Sequence, residues 1–214
     1  MKTKINWTSY LLEFLTVLIG ILIAFELSEY ANSQRQKDTL QEHFRYIAEE
    51  TEYNKRALER GQAVTEETLT AVDSILSLIQ SRGDINAINS MAFKLLRFDG
   101  VYLKRNAYVT LIESGDIRFL EDFKLKSATI NLYEFYKWTG AVEQIGYDTM
   151  TDRYYPYLYE HFDLLDGNLQ NPEIYFDKEF INALAMFRFA VNSRITKYAE
   201  CLTEVEKYLD LLTR

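Results

Sequence analysis

From Leu11 to Phe25 the chain reads LLEFLTVLIGILIAF, with Glu13 and Thr16 as its only polar positions. Counted outward to Ile5 and Leu27 the block holds 23 residues. At about 1.5 Å per residue that is roughly 34 Å of helix, against a hydrocarbon core of about 30 Å. The pattern predicts a membrane-spanning helix, with Trp7 and Tyr10 at one edge and Tyr30 at the other, where amphipathic rings settle. A cleaved secretory leader is the competing reading, since Lys2 and Lys4 precede the apolar run. Glu13 inside the run, the lack of a clear A-x-A site and the unbroken helix-forming stretch from Glu26 to Lys37 favour an anchor that stays.

Past the span the pattern becomes that of helices with one buried stripe. Leu40, Phe44 and Ile47 keep a seven-residue spacing that passes through polar Thr51 and Asn54 to Leu58, and Val72, Ile75 and Ile79 resume it after Gly61. The spacing predicts a helix that weakens near Gly61 and a second one from about Thr65 to Ser81, closed by Gly83 as a C-terminal cap. Shorter helices follow over Asn86 to Phe98 and Asn106 to Glu113, with breaks near 100 and 115. A longer helix runs from about Leu120 to Tyr147, followed by an aromatic one through Tyr154, Tyr155, Tyr157 and Tyr159. Residues 166–172 read as a loop, and Asn171-Pro172-Glu173 reads as a helix start. In the last helix Phe180, Leu184, Phe187, Val191, Ile195, Tyr198, Leu202, Val205, Leu209 and Leu212 recur at steps of three and four, which puts them on one face.

Two prolines and eight glycines in 214 residues leave few places to punctuate short strands. The expected fold class is therefore all-α: an N-terminal transmembrane helix and anchor over residues 1–30, then an extramembrane helical bundle over 31–214. An apolar fraction of 48% suffices for a core and excludes disorder. Lys2 and Lys4 balance Glu13 and Glu26, so the net charge of −8 belongs to residues 28–214. An acidic body without a basic stripe argues against nucleic-acid binding. Lys2 and Lys4 before the span, against Glu26 and Glu29 just after it, favour the N-terminus inside and the bulk outside.

Glu13 is the polar residue hardest to explain, because a carboxylate in a span costs several kcal/mol unless it faces protein, faces water or holds a proton. Glu13, Val17, Gly20 and Ala24 share one helix face, and Gly20 with Ala24 forms a small-xxx-small pair that lets another helix approach. Three readings stay open: snorkelling to the inner headgroups, a helix contact in an oligomer, or a proton or ion relay. His43 and His161 lack helical metal-ligand spacing. The run Glu49, Glu50, Glu52 reads as a solvated acidic face. Tyr154, Tyr155, Tyr157 and Tyr159 could line a ligand groove or pack between helices. Cys201 is alone, so no intrachain disulfide is expected, and no hydrolase, kinase or redox motif appears.

The string EFLTVLIGILIAFELSEY, Glu13 to Tyr30, resembles the N-terminus of a domain-of-unknown-function family of small single-span bacterial membrane proteins. That family has an IGILIAL-like core, here Ile19 to Phe25, with Leu12 standing where Gly is usual and Tyr30 where Trp is common. A second stretch, Ala107 to Tyr136, resembles the family's AYxxLxxSG turn and the helix after it. The resemblance implies one span and an all-helical outer body, and it transfers no activity. Together the readings point to an inner-membrane scaffold or accessory module rather than an enzyme. Membrane lipid and a second copy or a membrane-protein partner are the expected contacts. No cofactor is expected, and the body is expected in the periplasm. An oligomeric ion path through Glu13 and an extracytoplasmic ligand sensor are the alternatives.

Overall fold

The computed structural model describes residues 7–97, 99–163, 168–169 and 171–213. Its first element, α1, is one helix from Trp7 to Gln80, 74 residues and therefore about 110 Å long. Its most apolar 18-residue window has a mean hydropathy of 2.2, and none of that window is buried against the rest of the chain. It is a helix long and apolar enough to cross a membrane. From Leu40 onward the same helix becomes one wall of the body.

After α1 come α2 (Ile85–Lys94), α3 (Asn106–Glu113), a 3-10 turn over Asp116–Phe119, α4 (Phe123–Thr149) and α5 (Tyr155–His161). A π-helical turn, Met150–Tyr154, joins α4 to α5. β1 (Phe162–Asp163) and β2 (Asn168–Leu169) pair antiparallel, Phe162 opposite Leu169. Among the described residues this is a minimal ribbon on an otherwise helical fold. A 3-10 turn at Pro172–Phe176 then leads into α6, Lys178–Thr213. The loop expected over 166–172 falls partly outside the described residues; the helix expected over Asn86 to Phe98 ends earlier, at Lys94, with Leu95 as its C-cap.

The body is a bundle of α1, α4 and α6. Lys55 meets Glu206 and Asp73 meets Arg188, so α6 runs antiparallel to α1. Thr129 meets Tyr208 and Glu143 meets Arg194, so α6 is antiparallel to α4 as well. The all-α class therefore stands, and the stripe on α6 does what its spacing requires. Phe180, Leu184, Phe187, Val191, Tyr198 and Val205 are buried, and the other four are partly buried. The core has two lobes. One surrounds Ile47, Leu132, Tyr136, Tyr198 and Val205, and the other surrounds Ile75, Ile88, Tyr154, Tyr175 and Phe180.

The expected break near Gly61 does not occur, because α1 is continuous there. Gly61 serves a close approach instead: a Cβ at that position would lie 2.1 Å from Val101 Cγ2 and 3.5 Å from Tyr198 Cε2. A glycine inside a helix costs about 1 kcal/mol against alanine, which packing of Val101 onto α1 offsets. The cap at the end of α1 is shifted by one residue from expectation. Arg82 takes the left-handed conformation at φ 48°, and its N–H and that of Gly83 donate to Ile79 O and Leu78 O at 3.2 and 2.8 Å. The Arg82 guanidinium lies 4.7 Å from the Phe176 ring centroid, a tertiary contact that outweighs the local preference for glycine. Asn171 caps as expected, accepting from Glu173 N at 3.1 Å, but it opens the 3-10 turn rather than α6.

Candidate functional site

Glu13, Val17, Gly20 and Ala24 do share a face of α1, and all four are exposed. A Cβ at Gly20 would meet nothing within 4 Å. The apolar stretch offers that face bare, to lipid or to another helix. Thr16 satisfies its hydroxyl within the helix by donating to Leu12 O at 2.9 Å, the usual solution for threonine in an apolar helix.

Farther along α1 the polarity is reversed. The expectation that Glu49, Glu50 and Glu52 form a solvated acidic face fails at Glu50, which is 7% exposed, with Thr51 and Asn54 at 0%. Glu50 Oε1 accepts from the Tyr133 hydroxyl at 2.5 Å and Oε2 from Ala107 N at 3.0 Å. One carboxylate thus ties α4 to α1 and also caps the first turn of α3, where unpaired N–H groups favour an anion. Asn54 exchanges two bonds of 2.8 Å with the Lys104 backbone, accepting from its N–H and donating to its carbonyl. Tyr108 stacks on Tyr133 with centroids 4.1 Å apart. Burial, and then the bond to Glu50, pushes the Tyr133 phenol well above its ordinary range, so it stays a donor at every working pH.

A second buried polar group sits about three turns farther along α4 from Tyr133. Arg194 Nε donates to Glu143 Oε1 at 3.2 Å, and its Nη2 donates to Asp99 O at 2.8 Å and to the Tyr198 hydroxyl at 3.1 Å. Burial raises the Glu143 carboxyl more than the adjacent guanidinium lowers it. Like Asn54, Arg194 pins the 99–105 segment to the bundle. The seven-residue stripe of α1 does pass through Thr51 and Asn54, so the burial of those two was legible. Glu50, Glu143 and Arg194 had no sequence signal beyond their neighbourhood.

The tyrosine-rich stretch resolves toward packing. Tyr154 is 0% and Tyr157 4% exposed, and their rings lie 5.9 and 5.5 Å from that of Phe180. The hydroxyls of Tyr154, Tyr155 and Tyr157 donate to the carbonyls of Ala92, Leu96 and Ile174 at 2.9, 3.0 and 2.8 Å. A ligand would have to displace those bonds, and only Tyr159 is left facing outward. Of the two readings of this stretch, packing is the one the contacts carry for Tyr154 and Tyr157, whose rings fill the core lobe around Phe180.

A groove of about 760 Å³ does lie between α1 and α3, beside His43, Tyr46, Glu49, Tyr53, Lys104 and Thr110. Its aromatic faces already carry cations of this chain, Arg45 over Tyr46 and Lys104 over Tyr53. His43 Nε2 meets Asp116 Oδ2 at 3.0 Å, and the His161 ring lies 4.4 Å from that of Tyr157. Among the described residues no group of three or more His, Cys, Asp or Glu could hold a metal ion. Burial pushes the Cys201 thiol up to about 11, which removes it as a nucleophile at neutral pH. Compared with protein-family models, curated proteins and solved structures, the chain matches none.

Proposed function

We propose that the protein is a single-pass bacterial inner-membrane protein with its N-terminus in the cytoplasm. Its periplasmic helical body acts as a scaffold or accessory interaction module in an oligomer. The carrying observation is the contrast within one helix: the apolar window of α1 is wholly uncovered, while its continuation forms a wall of the bundle. Water would penalise about fifteen bare apolar side chains, whereas lipid does not. Because α1 runs from span to body without a break, the anchor would fix both the height and the direction of the body. The polar side chains of the body are used in tying segments together, which suits a rigid module more than an enzyme.

The test is partition of the full-length chain after cell lysis, followed by protease access from the periplasmic side. The reading predicts release from the membrane only by detergent, and digestion of the body once the outer barrier is opened. Recovery in the aqueous fraction without detergent would remove the anchor and the compartment together. Glu13 supports a second reading, an oligomeric proton or ion path, because its carboxylate stands uncovered on the apolar segment. Proton flux through liposomes that vanishes in Glu13→Gln would favour it, and unchanged flux would dismiss it.

A further inference from the structure

The outer seam between α4 and α6 carries a run of uncovered apolar side chains. Trp138, Ile145, Met186 and Phe189 are 57, 62, 58 and 70% exposed. Their placement follows from the contacts around them. Trp138 lies across the seam, 3.5 Å from Lys197 Nζ to its ring centroid, and shares a surface hollow with Glu204. Arg153 shares another with Met186 at the far end. Ile145 falls midway between Trp138 and Arg153, and Phe189 falls between Met186 and Lys197. The two helices are antiparallel, so all four residues line one strip. Ala141, Val142, Ser193 and Thr196 fall within it, and the charges of Glu134, Lys137 and Asp148 stand at its rim.

We infer that this strip is where a second copy of the chain docks, the two bodies related by a twofold axis parallel to α1. The inference rests on the membrane reading for the direction of the axis. With α1 crossing the bilayer, α4 and α6 stand along the membrane normal, so the strip faces sideways and the bilayer cannot cover it. Neighbouring copies share one height and one orientation, which raises their effective concentration along that face. The four side chains expose about 400 Å² of apolar area, taking roughly 150–200 Å² for each. A standard interface buries about 800 Å² per partner and is a little over half apolar, so the strip with its polar rim has the size a stable dimer needs. The strip includes a Trp and a Phe, aromatic side chains of the kind enriched in such contacts. Two bodies of net charge −8 repel, and a strip whose centre is apolar, with Lys197 and Arg153 beside it, is where they can meet.

The test uses the full-length chain in native membranes. Cys201 is buried, so a single cysteine placed by Ile145→Cys reports alone. On mild oxidation it should give a disulfide-linked species of twice the chain mass, whereas Tyr102→Cys, 68% exposed and off the strip, should not. Phe189→Glu should convert detergent-solubilised dimer to monomer in light scattering with the helical circular dichroism unchanged. A monomer that stays uncross-linked at position 145 while remaining in the membrane fraction overturns the dimer and spares the anchor. A cross-link to a protein of another mass overturns the choice of a second copy. Dimer cross-linked in the aqueous fraction keeps the strip as the interface but overturns the axis argument along with the anchor.

Discussion

The two ends of α1 invert the usual relation between polarity and burial, each in its own way. Between Tyr10 and Leu27 the large apolar side chains are 40% exposed or more, while at Glu50, Thr51 and Asn54 polar ones are at or near full burial. The same backbone geometry serves both. What differs is the neighbour: among the described residues nothing covers the first segment, whereas the second receives the 99–122 segment, which brings its own unpaired N–H and carbonyl groups. An apolar face cannot satisfy such groups, and a buried carboxylate or amide can. Exposed apolar surface thus points to a solvent other than water, and buried polar surface points to a segment that has to be docked.

The sharpest way to break this comparison is Glu50→Ala set beside Glu49→Ala. The first leaves the Tyr133 hydroxyl and Ala107 N without their acceptor in a buried place, and should cost about 3–4 kcal/mol of stability. The second removes an exposed partner of Arg45 and should stay within about 0.5 kcal/mol. Denaturant unfolding of the solubilised chain, followed by circular dichroism, reads both. Equal losses would mean that Glu50 is only another surface acid.

Next in size is a pair of apolar truncations on one helix. Ile47→Ala opens space in the proximal core and should cost about 3 kcal/mol. Leu22→Ala, at a position 55% exposed, should leave unfolding of the body within about 0.5 kcal/mol in detergent. A large effect at Leu22 would show that the apolar segment folds back on the body. Asn54→Ala follows at about 1.5–2 kcal/mol, since it unpairs the Lys104 N–H and carbonyl together. Hydrogen exchange should then rise in the 97–105 segment before it rises in α6.

Sequence periodicity carried the fold well where one stripe meets one core. The face of α6 and the limits of α3 at Asn106 and Glu113 are where spacing and turn residues put them. It misplaced features that depend on residues far away in the chain. Gly61 looks like a helix breaker until Val101 is set against it, and Glu50 looks solvated until α3 points its first turn at it. Tyr154 and Tyr157 offered both packing and binding from composition alone, and the carbonyls of Ala92 and Ile174 decide between them. That Glu13, Val17, Gly20 and Ala24 share one face was legible, because local helix geometry alone determines it.

The smallest expected effect lies where α1 first meets the body. His43 joins α1 to the 3-10 turn through Asp116, with both side chains partly exposed. Bonds from the Ser114 hydroxyl and then His43 hold the Asp116 carboxyl below its usual range. A carboxyl lowered by folding contributes stability that is present above its unfolded pKa and lost as pH falls through the folded one. The contribution of Asp116 is therefore complete at neutral pH and disappears only in acid below the ordinary carboxylate range. Asp116→Asn should cost under about 1 kcal/mol at pH 7, and the difference from the natural chain should shrink to nothing toward pH 2. Stability measured on both chains at pH 7, 4 and 2 checks this. A gap that widens on acidification would mean that His43 is held by some other group, and that this end of the bundle is closed by a contact other than this pair.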